Sequence, residues 1–305
     1  MLNKLEVHLK PAPVQAYQIN GTTIHVKRDD LIHPLISGNK SRKLKYHLLK
    51  ANEAKCDTLL TFGGPYSNHI AAVAKTAELC GLKSIGIIRG SHADVTNNTL
   101  KQAHENGMEL IPVSVDEYNE RNNYNYHDQL KLEYPTAHIV PEGGAGHEGI
   151  SGAMEIVKEL DQVYDYMVCA VGTGTTAAGF ILSKPAQTKV LCMNVFKKAD
   201  GVAEMINANL NLLLNNKEAV AEHATDFEVI DGYGFGGYAK VNDELKQFVR
   251  KIYADYHLPL DLVYTGKAFF GLLDLIGKNK IPTQSKILFY HSGGLQGNKG
   301  FGFDF

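Results

Sequence analysis

The chain has 305 residues, of which 44% are hydrophobic and 21% are charged. This length fits about two domains of roughly 150 residues each, and the hydrophobic fraction can build folded cores, which excludes a disordered chain. The 31 Lys and Arg residues nearly balance the 33 Asp and Glu residues. A chain without a strong net charge has no overall field that attracts nucleic acid or an anionic membrane surface. We therefore expect a local binding site and neither of these partners.

The cysteines and the apolar stretches indicate the cellular setting. The four cysteines form no C-x-x-C pair and are scattered, at Cys56, Cys80, Cys169 and Cys192. They suit neither a disulfide framework nor a zinc site, and reduced thiols are typical of cytosolic proteins. No stretch reaches the roughly 18 apolar residues of a membrane span, and the N-terminal segment lacks the apolar core of a signal peptide. We predict a soluble, cytoplasmic protein without a metal site.

Short apolar runs alternate with helical patterns along the chain. The predicted strands are Thr58–Phe62, Ser84–Arg89, Glu109–Val113, His138–Pro141, Tyr166–Val171, Val190–Val195 and Lys286–His291. The predicted helices are Ser67–Cys80, Asn97–Asn106, Glu148–Leu160, Thr176–Leu182, Gly201–Leu214 and Asp243–Tyr256. Runs such as Ile85–Ile88 lack period-2 alternation, as expected for strands covered on both faces. The pattern predicts an α/β fold with mostly parallel sheets, and it predicts a long surface connection or an irregular helix over Asp116–Tyr134.

Glycine clusters follow several of the predicted strands. The clusters are Gly63-Gly64, Gly143-Gly144 with Gly146, Gly172 with Gly174, Gly232 through Gly237, and Gly293-Gly294. The ligand crevice of an open α/β sheet lies outside the carboxyl ends of its strands. Glycine there lets backbone N–H groups approach an anion, and the next helix N-terminus adds a favourable dipole. Any one cluster is more commonly an ordinary turn, but five together favour a phosphate-bearing ligand.

A dinucleotide site is not supported by the motif that suggests one. Gly144–Gly149 matches G-x-G-x-x-G, but such a unit also needs an acidic residue at the end of the next strand. The next strand, Tyr166–Val171, runs into glycine and threonine instead. A Walker A loop and a G-x-S-x-G nucleophile elbow are absent as well.

Two segments carry the candidate chemistry. The first is a loop between a strand and a helix, made of Gly172, Thr173, Gly174, Thr175 and Thr176. Its hydroxyls and free N–H groups suit a cofactor monophosphate, although a threonine helix cap with flanking glycines explains the segment equally well.

The second segment, Gly38–Leu44, places Lys40 at the start of a helix-like run. The positive end of a helix disfavours an ammonium group and lowers its pKa, and a neutral amine is what Schiff-base chemistry needs. The alternative is a solvated basic helix start, which is the usual fate of such a lysine-rich cluster. Taken alone, the segment favours that alternative.

In combination, the motifs resemble the fold-type II pyridoxal-phosphate enzymes, and specifically the 1-aminocyclopropane-1-carboxylate (ACC) deaminase/D-cysteine desulfhydrase family. The resemblance rests on Lys27–Asp30, Gly-Asn-Lys-x-Arg-Lys-Leu at 38–44, Gly-Gly-x-x-Ser-Asn at 63–68, the 172–176 loop, Val-Tyr-Thr-Gly-Lys at 263–267 and His-Ser-Gly-Gly at 291–294. It implies two open, twisted, mostly parallel sheets flanked by helices, with pyridoxal 5'-phosphate between them. The implied domains are a large one, 1–45 plus 155–305, and a small inserted one, 46–154. A homodimer and a lyase or hydrolase activity are implied too.

The resemblance also implies roles for individual residues. Lys40 is similar to the lysine that binds the cofactor covalently, and residues 172–176 are similar to its phosphate loop. Asn68 is similar to the partner of the cofactor's 3′-oxygen, and Ser67 to the serine that touches the substrate carboxylate. Further substrate contacts are expected from Asn68, His69 and Ser292, and the active-site tyrosines are expected to be Tyr264 and Tyr233, with Thr265 facing the pyridine nitrogen.

Two positions help to choose a substrate by the same resemblance. The deaminase has an acid after the tyrosine, where this chain has Thr265, and an apolar residue where this chain has Ser292. A neutral hydroxyl holds a pyridinium less well than a carboxylate does, and β-elimination of a good leaving group tolerates this. We therefore expect a lyase that acts on a small D-amino acid, D-cysteine first. ACC deaminase, a D-serine-type substrate and an inactive anion-binding relative remain alternatives. The chain departs from the family pattern in its Tyr233–Gly237 stretch. Only eleven residues follow Gly294, which is fewer than the family usually has there.

Overall fold

The computed structural model describes residues 1–305. Ten strands are formed, namely β1 (Val14–Ile19), β2 (Thr22–Lys27), β3 (Thr58–Gly63), β4 (Lys83–Arg89), β5 (Met108–Val113), β6 (Ala137–Val140), β7 (Tyr166–Val171), β8 (Lys189–Asn194), β9 (Phe227–Ile230) and β10 (Ile287–Tyr290). The helices are α1 (Leu2–Glu6), α2 (Asn39–Glu53), α3 (Asn68–Cys80), α4 (Asn98–Glu105), α5 (Val115–Asn119), α6 (Tyr124–Glu133), α7 (His147–Lys158), α8 (Thr175–Ser183), α9 (Val202–Leu214), α10 (Lys217–Glu222), α11 (Asp243–Tyr256) and α12 (Thr265–Gly277). Short 3-10 turns lie at Asp29–Leu31, Glu120–Asn122, Glu142–Gly144 and Leu295–Phe301.

The strands form two sheets. The larger has the order β1-β2-β10-β7-β8-β9, and the smaller has the order β5-β4-β3-β6. All neighbouring strands are parallel except the β1–β2 pair, which is antiparallel. The predicted α/β class with two mostly parallel sheets is thus confirmed.

Apolar side chains cover both faces of each sheet. In β3, Leu59 belongs to one buried cluster with α3, whereas its neighbour Leu60 belongs to another with α6. In β7, Met167 and Val168 divide in the same way between the two clusters of the larger sheet. Burial on both faces explains why these strands are continuously apolar in the sequence.

All seven predicted strands are present, within about one residue at each end. The strands that the prediction lacks are β1, β2 and β9. Strand β1 is largely exposed, β2 alternates buried and partly buried residues, and β9 is only four residues long. For Asp116–Tyr134 a long surface connection or an irregular helix was predicted. The structure has the helical alternative, which consists of α5, a 3-10 turn and α6. No helix has both the length and the apolar character required to cross a membrane.

Helices α2 and α7 pack against each other where the two sheets meet. A Cβ added at Gly152 would lie 2.1 Å from the carbonyl oxygen of Arg42, so glycine is needed for this close approach. The strands of the smaller sheet all lie between residues 58 and 140. The predicted domain boundaries at 45/46 and 154/155 fall within α2 and α7, and they stay a prediction.

Candidate active site

A cleft lies between the two sheets, at the carboxyl ends of β7 and β10 and at the N-terminus of α2. Twenty residues line it, and none of them is Asp or Glu. The ionisable groups of its wall are two lysines, Lys40 and Lys43, and one tyrosine, Tyr264. A wall with amines and without carboxylates favours an anionic ligand.

Lys40 lies in the first turn of α2. The helix begins after Gly38, whose φ of 64° is in the left-handed region, and a Cβ there would lie 1.7 Å from the carbonyl oxygen of Ser292. The Lys40 Nζ donates to Asn39 Oδ1 at 2.8 Å. Burial lowers the pKa of Lys40 to about 8, against the opposing attraction of Asp261. A substantial fraction of this amine is therefore neutral near physiological pH, as an attack on a carbonyl carbon requires.

Lys43 is a second amine in the cleft, and it is not among the predicted site residues. Its side chain is buried, and its hydrogen bond to the carbonyl oxygen of Gly143 is long, at 3.5 Å. Burial first, and then repulsion from Lys40, hold its pKa well below the ordinary lysine value. The signal was present in the sequence, because residues three apart on a helix lie on the same face. An amine in this position is prepared to receive an anion.

The glycine–threonine loop connects β7 to α8 and lies beside Lys40. Gly174 has a φ of 76° and immediately precedes α8, so the first N–H groups of this helix open toward the loop. Asn39 Nδ2 donates to Thr176 Oγ1 at 3.1 Å, which joins the loop to the start of α2. Gly172, Thr173, Gly174 and Thr176 line the cleft.

Thr175 and Asn209 hold the loop from behind. Thr175 is fully buried, and its hydroxyl donates to Asn209 Oδ1 at 3.2 Å. Asn209 Nδ2 donates to the carbonyl oxygen of Thr173 at 3.0 Å. Asn209 is on α9, far along the chain, and no motif indicated it.

The start of α3 carries the predicted Ser67, Asn68 and His69. The Ser67 hydroxyl caps the helix by accepting from the N–H groups of His69 and Ile70 at 3.2 and 3.4 Å. Asn68 lines the cleft, and its Oδ1 is buried without a hydrogen-bond partner. A buried polar atom without a partner costs free energy. This amide oxygen is therefore placed to accept a hydrogen bond from a ligand in the cleft.

His69 lies deeper than the cleft surface. The Thr61 hydroxyl donates to the carbonyl oxygen of Val140 at 2.7 Å, and the same oxygen lies 2.8 Å from His69 Nε2. The imidazole Nε2–H therefore donates to Thr61. Burial holds the pKa of His69 well below its ordinary value, so the ring is neutral. Its predicted substrate contact stays a prediction.

Tyr264 lines the cleft, and its hydroxyl partner is Tyr238, at 2.9 Å. Burial raises the pKa of Tyr264 well above its ordinary value, so it is a protonated phenol. Tyr233 instead donates to Asp274 Oδ2 at 2.5 Å and does not line the cleft, and its predicted catalytic role stays untested. No motif in the sequence indicated Tyr238.

Thr265 is fully buried against a carboxylate that the sequence analysis overlooked. Its hydroxyl donates to Asp261 Oδ2 at 2.5 Å and accepts from the Asp261 N–H at 2.8 Å. Asp261 Oδ1 also accepts from the N–H of Tyr264 at 2.7 Å. The position therefore holds a hydroxyl in direct contact with a carboxylate, and not a neutral hydroxyl alone.

The Ser292–Gly294 segment closes the wall beside Asn68, since a Cβ added at Gly294 would lie 3.0 Å from Asn68 Nδ2. His291 Nε2 donates to the carbonyl oxygen of Pro259 at 2.6 Å, and its Nδ1 accepts from Gly293 N–H at 3.2 Å. These bonds hold the segment after β10, and its Ser292 carbonyl accepts from the N–H of Asn39 at 3.3 Å. Ser292 lines the cleft as predicted.

Comparison with known proteins decides the family. The family model described as "Pyridoxal-phosphate dependent enzyme" matches residues 6–293. The chain belongs to this family. A Pyrococcus abyssi protein provisionally named 1-aminocyclopropane-1-carboxylate deaminase is 34% identical over 91% of this chain and 86% of its own length. The Arabidopsis thaliana "Bifunctional D-cysteine desulfhydrase/1-aminocyclopropane-1-carboxylate deaminase, mitochondrial" is 30% identical over 94% of this chain and 77% of its own. The crystal structure of an ACC deaminase homologue has a TM-score of 0.81 and 29% identity, and covers 97% of this chain and 93% of that one.

The predicted resemblance, fold and cofactor are thereby confirmed. Family membership supports lyase chemistry, and the expectation of a hydrolase is inconsistent with it. The cofactor of this family is pyridoxal phosphate, which has an aldehyde, a phosphate and a phenolic oxygen. The cleft fits all three groups, because it offers the Lys40 amine, the loop before α8 with Lys43, and the unpartnered Asn68 amide.

Lys43 should be a large contributor to cofactor affinity. We expect Lys43→Met to raise the dissociation constant of pyridoxal phosphate about 10- to 100-fold, because a hydrogen bond to a charged group contributes about 1.5–3 kcal/mol. Titration of the apo-protein, followed by cofactor absorbance, measures this constant. The control is Lys45→Met. Lys45 is on the same helix as Lys43, is partly exposed and pairs with Glu155 of α7, so its loss should change the dissociation constant less than about twofold. Equal effects of the two substitutions would contradict the assignment.

Proposed function

We propose that the protein is a pyridoxal-phosphate-dependent lyase that eliminates thiol from a small D-amino acid, with D-cysteine as the first candidate. D-cysteine and water would yield pyruvate, hydrogen sulfide and ammonia. The observation that supports this best is the joint placement of the Lys40 amine, the anion loop and the Tyr264 phenol in one cleft. Ser292, a small hydroxyl in the same wall, is the remaining reason to favour D-cysteine over ACC.

When bound, pyridoxal phosphate supplies an electron sink for the bond that breaks at Cα. The chain supplies the groups around it. Lys40, with its lowered pKa, takes the Cα proton as a general base. Tyr264, which the Tyr238 hydroxyl contacts, delivers a proton to the departing sulfur. The N-terminus of α3, with Ser67 and Asn68, is suited to the substrate carboxylate.

ACC deaminase activity is the second candidate function. The relatives' names favour it, and the Asp261 carboxylate behind Thr265 removes part of the argument against it. An inactive relative is the third candidate. It is disfavoured because Lys40 keeps a lowered pKa and Asn68 keeps an unpartnered amide oxygen within a lined cleft. The homodimer that the resemblance implies and the cytoplasmic location predicted from the cysteines and apolar stretches stay proposals as well.

A four-substrate assay tests the proposed function. The purified holoenzyme is given D-cysteine, L-cysteine, D-serine or ACC, and the release of sulfide, ammonia and keto acid is measured. We expect sulfide, ammonia and pyruvate in equal amounts from D-cysteine, and at least about tenfold lower kcat/KM for the other three, which corresponds to about 1.4 kcal/mol of discrimination. Ammonia and 2-oxobutanoate from ACC without products from D-cysteine would reverse the ranking of the first two candidates. No product from any of the four would favour the inactive relative.

A further inference from the structure

Lys267 is a fully buried lysine that the proposed reaction does not use. It lies in the first turn of α12, three residues after Tyr264. Its Nζ donates to the carbonyl oxygens of Gly234 and Gly237 at 2.8 and 2.7 Å, and both of these partners are backbone atoms. Since it is costly to bury an ammonium group away from water, a lysine in this position needs a structural reason.

The two carbonyl groups that Lys267 holds each close a turn of the backbone. The Gly234 oxygen also accepts from the N–H of Gly237 at 2.9 Å, and the Gly237 oxygen accepts from the N–H of Lys240 at 3.0 Å. Between these residues the chain has positive φ values at Phe235 (49°) and Ala239 (54°). Residues with a Cβ rarely adopt this conformation, so it persists only where the surroundings impose it.

Tyr238 lies within the second of these turns, between Gly237 and Lys240, and its hydroxyl lies 2.9 Å from that of Tyr264. The ring of Tyr238 also stacks on Phe196, with 5.9 Å between the ring centroids. Tyr264 immediately precedes α12 and Lys267 lies in its first turn, so the start of one helix carries both the cleft tyrosine and the cation that holds its partner's loop.

We propose that Lys267 is a positioning residue, which holds the Gly234–Lys240 turns so that the Tyr238 hydroxyl stays against Tyr264. It acts as an internal cation for backbone carbonyls and touches neither cofactor nor substrate. The inference rests on the proposed function only in so far as Tyr264 acts in the cleft.

Hydrogen–deuterium exchange of the full chain as purified tests the contact without any substrate. In Lys267→Met we expect the amides of the 234–240 segment to exchange about tenfold faster or more, while those of α3 are unchanged. Lys240→Met, at an exposed lysine of the same segment, is the matched control and should leave the exchange unaltered. Unchanged exchange of this segment in the Lys267 variant would overturn the inference. If Lys267→Met does not fold, Lys267→Gln, which keeps an N–H₂ donor group but removes the charge, takes its place.

Kinetics separate positioning from a purely structural role. We expect Lys267→Met to lower kcat about 10- to 100-fold, as small misplacements of reacting groups do. In a Tyr238→Phe background the same substitution should have little further effect, because both changes act through one contact. Independent, multiplicative losses, or a kcat that stays normal while the segment exchanges faster, would overturn the positioning role. If the wild type acts on none of the four substrates, the proposed function fails, and the exchange experiment still decides whether Lys267 holds the turns.

Discussion

Lys40→Ala is expected to lose at least about 10³-fold in kcat, because it removes both the amine that binds the cofactor and the proposed base at Cα. The measurement is product release by the holoenzyme, together with borohydride reduction of the protein–cofactor link followed by mass spectrometry. The wild-type chain should carry the reduced cofactor on Lys40, and the variant should carry none.

The pH dependence of cofactor attachment provides a second measurement on the same residue. Burial lowers the pKa of Lys40 to about 8, so the amine is mostly protonated below this pH and mostly neutral above it. Since only the neutral form attacks an aldehyde, the rate of attachment to the apo-protein should rise with pH and level off above about 8.

Lys43→Met is the control for these experiments, because it removes the neighbouring amine and keeps Lys40. It should still give a borohydride-stable adduct on Lys40 once enough cofactor is added. An adduct on Lys43 in the Lys40→Ala protein, at wild-type yield, would show that the two lysines had been assigned the wrong way round.

Gly38→Ala is expected to destabilise the fold by roughly 2–5 kcal/mol, the sum of a strained backbone and an overpacked contact. Gly38 has a φ of 64°, and its added Cβ would lie 1.7 Å from the carbonyl oxygen of Ser292. The Ser292–Gly294 segment would have to move away from α2. The denaturation midpoint measures the loss of stability, and cofactor titration measures the accompanying loss of affinity.

Gly21→Ala is the control that carries the backbone strain without the steric contact. Gly21 has a φ of 78°, but a Cβ there would have no atom within 4 Å. It should cost only about 1–3 kcal/mol of strain and leave cofactor affinity unaltered. Equal losses of stability and affinity in the two variants would mean that the contact between Gly38 and Ser292 does not shape the cleft.

The predicted sheet strands illustrate what could be read before the structure. Strands β3, β4, β7 and β8 are buried on both faces, and their continuous apolar runs are visible in one dimension. The β1–β2 hairpin was not predicted, because its partly exposed residues carry no comparable pattern. Lys40, Asn68 and the 172–176 loop were found because each belongs to a short local motif, and all three meet in the cleft.

Most of the residues that were missed act through contacts between distant parts of the chain. Asn209 holds the loop at Thr173 from another helix, and Tyr238 meets Tyr264 across 26 positions of the sequence. Asp261 is close to Thr265 in the chain, but its contact with Thr265 depends on the Thr265 hydroxyl donating to the Asp261 carboxylate. Such contacts have no periodicity, so no pattern in a single sequence reveals them.

The sequence alone determined the fold class, the family resemblance and the cofactor, and it singled out Lys40 as the candidate lysine, because these depend on side-chain burial patterns and on short motifs at strand ends. Only the tertiary structure decided which groups surround that lysine, which tyrosine accompanies Tyr264, and that a carboxylate lies behind Thr265. The reason is physical. Burial and motif chemistry are written locally along the chain, whereas the pKa of Lys40 and the direction of each hydrogen bond arise from atoms that only folding brings within a few ångströms.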